Sequence, residues 1–206
     1  MNIIKLSENL DEKLKKTKEF LDELKACKSF KDKIELCEYK LERIGKGSSR
    51  LVYKLFDNTV IKVAKNNKGI AQNKIEASQK EINQFMNRVL YFSDDHSFLR
   101  AGYADKITEQ EFKKITGYAF KDFAICLKYA LKNLTKKEVK DPDKNIYSKI
   151  KDEPFFEAFV KFANKLNLVP GDLGKISSYG NKNGRLVMID FGLSREIYEK
   201  FYKNKT

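Results

Sequence analysis

From Leu10 to Cys37 the apolar residues fall at helical intervals. Leu10, Leu14, Phe20, Leu21 and Leu24 trace one stripe, and Phe30, Ile34, Leu36 and Cys37 a second. Residues 7–40 are therefore expected to be helical, with Ser7 as N-cap and Glu8, Asp11 and Glu12 in the first turns. After Tyr39 the period shortens to two. Residues 41–44, 51–56 and 59–64 read as strands, the last two joined by a tight turn at Asp57-Asn58. Beyond the polar run 65–69 the helical period returns from Ile70 to about Val89. Weaker strand signals surround Phe98-Leu99 and Gly102-Tyr103. Thr108-Glu-Gln-Glu111 forms a capping box ahead of another helix, and 118–135 is helical again. Asp141-Pro-Asp143 breaks the chain before an amphipathic helix over 154–166, which carries Phe155, Phe156, Phe159, Phe162 and Leu166. The pattern predicts an α+β fold: a helical extension over 1–40, a small antiparallel sheet with one helix over 41–105, and a reduced, mostly helical lobe over 106–206.

Composition narrows the class. The 206 residues can bury one core or a small two-lobed one, and 15 Phe with 10 Tyr argue for a folded globule. No apolar run approaches the roughly 18 residues that span a bilayer. The N-terminus lacks the basic and apolar stretches of a signal peptide. A soluble, cytoplasmic protein with no membrane contact is expected. Three cysteines and the single histidine, His96, have no metal-ligand spacing, which argues against zinc and for reduced thiols.

The net charge of +13 raises nucleic acid as a partner, yet only six of the 42 basic residues are Arg. Bidentate grips on phosphates and bases favour Arg. The excess is greatest in 113–151, where 11 Lys face Asp122, Glu138, Asp141 and Asp143. That stretch reads as a solvated helical face or as a surface for an acidic partner. Over residues 1–43 the charge nearly cancels, 11 basic against 10 acidic, so these helices are a packing element or a partner-binding pair rather than a nucleic-acid tail.

Four short segments carry candidate chemistry. Gly45-Lys-Gly47 followed by Ser48 and Ser49 can bring backbone N–H groups close to an anion, though two near glycines also simply make a turn. Lys62 interrupts the apolar strand Val60-Ile-Lys-Val-Ala64, and alternation sets Val60, Lys62 and Ala64 on one face. Buried, that lysine needs an anion, whereas at a sheet edge it would face solvent. Glu76, 14 residues on, is the expected partner, preferred over Glu81 because Ile75 and Ile82 draw its turn toward the sheet. Asp172 lies in a loop after Pro170-Gly171, and Asp190 ends an apolar strand just before Phe191-Gly192. A carboxylate at the mouth of a buried strand suits Mg²⁺ shared with phosphate oxygens.

In this order the segments resemble the protein-kinase-like superfamily over roughly residues 41–195, and in particular the short kinase-like proteins of bacteriophages and bacteria. The resemblance implies a two-lobed minimal protein-kinase-like fold that uses ATP and Mg²⁺. Gly45, Gly47 and Ser48 would cover the phosphates, and Val52 and Val60 would pack on the adenine. Lys62, paired with Glu76, would contact the α- and β-phosphates. Residues 102–105, with Tyr103 and Asp105, would form the hinge that meets the adenine edge. Asp172 would orient or deprotonate the acceptor hydroxyl, and Asp190 would hold the metal, joined by Ser177 where the family has Asn. The departures are Arg50 in place of the loop's third glycine, Pro170-Gly171 before Asp172 in place of His-Arg, the serine at 177, and no Ala-Pro-Glu segment in the 14 residues after Gly192.

Three readings stay open. The first is a phosphotransferase, a kinase acting on a hydroxyl of a protein or small molecule. The second is a pseudokinase that binds nucleotide and acts through a partner protein. The third is a basic nucleic-acid binder. A phage origin would place the protein in the host cytoplasm.

Overall fold

The computed structural model of the chain describes residues 3–79, 83–132 and 142–203, with side chains from Asn9 onward. It divides into two compact units, Met1–Ser78 with Arg88–Tyr103 and Gln79–Asn87 with Ala104–Thr206.

The first unit opens with two helices, α1 (Ile3–Ala26) and α2 (Phe30–Lys40). Because α1 already runs from Ile3, Ser7 lies within it and is not its cap. The cap of α2 is Ser29, whose Oγ accepts from Asp32 N while Asp32 accepts from Ser29 N. A five-stranded antiparallel sheet follows, built from β1 (Glu42–Lys46), β2 (Arg50–Lys54), β3 (Thr59–Ala64), β4 (Val89–Phe92) and β5 (Phe98–Gly102). Its order is β1-β2-β3-β5-β4. Between β2 and β3, Asn58 adopts φ 61° and Asp57 Oδ1 accepts from both Thr59 N and Thr59 Oγ1, so the turn sits where Asp-Asn predicts it. One sheet face, carrying Leu51, Tyr53, Ile61, Val63 and Phe98, packs on Phe20, Leu21, Leu24 and Cys37 of the two helices. Tyr53 Oη donates to Glu38, fixing α2 to β2.

The other sheet face receives α3 (Asn67–Ser78). The helical period from Ile70 to Val89 overran this element, which starts at Asn67 and stops at Ser78. Tertiary packing of the segment that follows wins over its local pattern. Phe85 is buried against Phe155, Phe159 and Phe162, Phe85 O accepts from Met188 N, and Met86 bridges Met188. Val89 then begins a strand. Glu81 and Ile82, part of the reasoning on the lysine's partner, lie outside the described residues.

The second unit comprises β6 (Asp105–Lys106), α4 (Glu109–Thr116), α5 (Phe120–Ala130), α6 (Lys144–Ile150), α7 (Pro154–Lys165), α8 (Pro170–Leu173), a 3-10 turn (Ile176–Ser178), β7 (Tyr179–Lys182), β8 (Arg185–Met188) and α9 (Arg195–Phe201). The Thr108 capping box forms as its sequence predicts, and α4 ends on Gly117 at φ 82°. Phe112, Phe123, Phe156 and Phe159 centre the core, with their rings mostly edge-to-face. This half carries a small antiparallel sheet, β6-β7-β8, as well as helices. Its hairpin turns through Asn183 and Gly184 at φ 54° and 79°. Among the described residues no helix is long and apolar enough to cross a membrane.

Candidate functional site

Lys62 enters the structure as the sequence requires, on β3 opposite Val52 and Leu99 and 4% exposed. Its Nζ donates to Glu76 Oε2 at 2.5 Å, and Glu76 is 0% exposed. The Lys62–Glu76 pairing does not come from the isoleucines that point to it in the sequence. The α3 face turned to the sheet consists of Gly69, Gln72, Asn73 and Glu76, a polar i, i+3, i+4, i+7 stripe, while Ile70 and Ile75 are only half-buried.

That polar stripe is matched by residues of the glycine-turn segment for which the sequence suggested no partner on the helix. Arg50, 5% exposed, donates from Nη1 to Asn73 Oδ1 at 3.1 Å. Its Nη2 lies 2.8 Å from Glu76 Oε1, close enough to pair although the angle is not that of a hydrogen bond. Asn73 Nδ2 donates to His96 O, and Ser49 Oγ donates to Gln72 Oε1 at 2.6 Å. Glycine at 69 is a steric necessity, because a Cβ there would lie 2.4 Å from Ser49 O and 2.9 Å from Ala64 Cα. The signal for this network was the small-and-polar stripe on α3; the burial of Arg50 had none.

On the same sheet face, Val52 and Val60 join Ile44, Val89, Leu99, Ala101 and Tyr103 in one apolar cluster. Tyr103 is half-buried, with Lys54 Nζ 4.9 Å from its ring centroid. Gly45 leaves room for Val52, whose Cβ would stand 3.3 Å from a side chain at 45. Gly47 and Ser48 are exposed in the β1–β2 turn. The expected offering of backbone donors is reduced there, since Gly47 N already donates to Arg50 O, while Gly47 O accepts from Lys65 Nζ. Asp105 is exposed in β6, opposite Asn181, and belongs to the second unit.

In the second unit Asp172 sits in the short helix α8 rather than in an open loop. Two following residues hold that turn: Ser178 Oγ donates to Asp172 O and Tyr179 Oη to Leu173 O, both at 2.8 Å. Upstream, Val169 N donates to Leu193 O, Arg195 N donates to Asn167 O, and Leu168 bridges Ser194. These contacts tie the segment before Asp172 to the segment after Asp190. Phe191 is buried in the core while Asp190 itself is exposed, so the ring anchors the strand end and leaves the carboxylate outside.

Lys175, unremarked in the sequence, donates to Asp172 Oδ1 at 2.6 Å. That hydrogen bond, with the charges of Asp172 and Asp190 behind it, raises the Lys175 ammonium above its ordinary 10.5. The stability linked to the lysine's raised value is fully present just below that ordinary value and is lost as pH rises through the higher folded one. Ser177 is exposed, and it is the neighbouring Ser178 that contacts Asp172. Asn181 Oδ1 is committed to Gly184 N in the hairpin turn.

Two carboxylates near one ammonium do not make a protein-only metal cage, and among the described residues no three Asp, Glu, His or Cys side chains converge. The donor set fits a hard divalent cation that takes most of its oxygens from phosphates and water.

No protein-family model matches the chain, and no curated protein is significantly similar to it in sequence. Solved structures similar to it include a choline/ethanolamine kinase family protein from Mesorhizobium loti, at 16% identity and TM-score 0.38, covering 84% of this chain and 65% of that one. The streptomycin–ATP ternary complex of APH(2'')-IIa matches at 17% and 0.36, covering 81% and 73%. ADP-bound aminoglycoside phosphotransferase APH(2'')-Ib matches at 16% and 0.35, covering 80% and 72%. The chain thus spans under two thirds of the first of these. These neighbours are kinase-like phosphotransferases; they assign no role to any residue here.

Proposed function

We propose that the protein is an ATP- and Mg²⁺-dependent phosphotransferase of kinase-like type, moving the γ-phosphoryl group to a hydroxyl of a protein or small molecule. The observation that carries this reading is the buried Lys62–Glu76 pair. A strand lysine held by a fully buried glutamate on the next helix is what gripping phosphates requires, because its ammonium is fixed before the ligand arrives. Val52, Val60 and Tyr103 supply an apolar surface of the kind an adenine ring covers, with Gly45 on β1 opposite Val52 and Gly47 and Ser48 in the turn that follows.

In the second unit Asp172 is the group to take the proton of the acceptor hydroxyl as oxygen attacks the γ-phosphorus and ADP leaves. Asp190, and Ser177 more weakly, would hold Mg²⁺, which when bound neutralises charge on the β- and γ-phosphate oxygens. Lys175 sets its ammonium against the Asp172 carboxylate and holds that side chain in place through a hydrogen bond to Oδ1.

The second reading, a nucleotide-binding module acting through a partner protein, is favoured by one observation: the Gly47 N–H is already spent on Arg50 O. Transfer from γ-labelled ATP to water or added alcohols decides between the two. Asp190→Ala should abolish transfer while the folded state, followed by circular dichroism, survives. Equal transfer by wild type and variant refutes the catalytic reading.

A further inference from the structure

We propose that Arg50 is a positioning residue for the Lys62–Glu76 pair, acting through the second oxygen of Glu76. The inference rests on the reading of Lys62 as the group that grips nucleotide phosphates.

Glu76 is enclosed by two cations, Lys62 on Oε2 and Arg50 on Oε1. The two do different work. A lysine is a compact charge on a flexible stem and does not fix the plane of the carboxylate it meets. The guanidinium is a rigid planar fork, and here its two ends span Asn73 and Glu76, one turn apart on α3. Asn73 is itself fixed, since its amide donates to His96 O in the turn before β5. The fork is thereby oriented at both ends, and it sets the direction in which Oε2 faces Lys62.

A second consequence concerns charge. When Lys62 shares its protons with phosphate oxygens, a carboxylate held by lysine alone would become a poorly compensated buried anion, which is costly. With Arg50 on Oε1, Glu76 keeps a cation throughout. Arg50 also opens β2 directly after the glycine turn. Together with the Ser49–Gln72 hydrogen bond and Lys65 N donating to Ser49 O, it joins that turn, the lysine strand and α3 into one assembly. The lysine's anchor and the phosphate turn are therefore set by the same side chain.

The test compares Arg50→Met and Arg50→Lys with wild type by calorimetric titration of Mg·ATP and, separately, of adenosine. Arg50→Met is expected to weaken Mg·ATP by about tenfold or more, the scale of losing one buried ion-pair partner, and to leave adenosine within about twofold. Arg50→Lys, which keeps a cation near Glu76 but cannot span Asn73 and Glu76 with one planar fork, should recover only part of the loss. Asn73→Ala, releasing the far end of the fork with both charges in place, should lose Mg·ATP affinity in the same sense by a smaller factor, and serves if Arg50→Met does not fold. Equal losses for both ligands, or an unchanged Mg·ATP affinity, overturn the proposal. A wild type that binds no ATP refutes the nucleotide reading instead. Crystal structures of the variants then decide the positioning role alone: Glu76 should move beyond about 4 Å from Lys62 Nζ in Arg50→Met, and a pair still at about 3 Å overturns it.

Discussion

At the scale of single residues, the decisive quantity is how buried charges are compensated. Glu76 is fully enclosed and faces both Lys62 and Arg50, so replacing it with the isosteric Gln removes the counter-charge facing two buried cations at once. Breaking a buried pair by removing one partner costs about 3–5 kcal/mol, far above the fraction of a kcal/mol that a surface pair is worth. Urea denaturation of Glu76→Gln should show a loss of that size, while Glu19→Gln, on the exposed Lys15–Glu19 pair, should be nearly silent. A loss under about 1 kcal/mol at Glu76 would mean that the pair is more hydrated than its burial implies. Lys62 and Glu76 were legible in the sequence because an apolar strand frames the lysine and a helix carries an acid 14 residues on. Arg50 was not: an arginine just after a glycine turn looks like surface, and nothing local announces that α3 will cover it. Lys175 escaped for another reason: it stands only three residues past Asp172, but that pairing needs the chain to turn where the sequence reads as an open loop.

At the scale of elements, the strands over 50–64, the Asp57-Asn58 turn, the Thr108 cap and the Phe-rich α7 all follow local rules, and the chain obeys them. The departures come where packing outweighs pattern. The helical stretch to Val89 is cut short because Phe85 is drawn into the aromatic core of the second unit and its carbonyl pairs with Met188. The hairpin of β7 and β8 had a readable signal in Asn183-Gly184, a pair suited to two successive positive φ angles. α3 sets the sharpest test at this scale. In an exposed helix Gly→Ala stabilises by up to about 1 kcal/mol. At Gly69 the added Cβ would meet Ser49 O at 2.4 Å, backbone that cannot easily retreat. Gly69→Ala should therefore destabilise, by about 1–3 kcal/mol in thermal or chemical melts. A stabilised variant would show that α3 is not seated on the β2 and β3 backbone as described.

At the scale of the whole molecule, the order of chemistry-bearing segments was readable although each alone was weak. The sheet with its lysine lies in one compact unit, and both acids, Asp172 and Asp190, lie in the other. What the sequence could not carry was the set of long-range hydrogen bonds that hold each group, such as Ser178 and Tyr179 on the Asp172 turn. The central claim is that Lys62, held by Glu76, grips nucleotide phosphates. Its most direct test is the melting temperature of wild type and Lys62→Met with and without Mg·ATP. Methionine removes the charge yet leaves Glu76 its arginine. A ligand that binds only the folded chain stabilises it by about 2.7 kcal/mol at one hundred times its Kd. The account predicts a rise of several degrees for wild type and none for Lys62→Met. No rise in wild type, or the same rise in both, would contradict it.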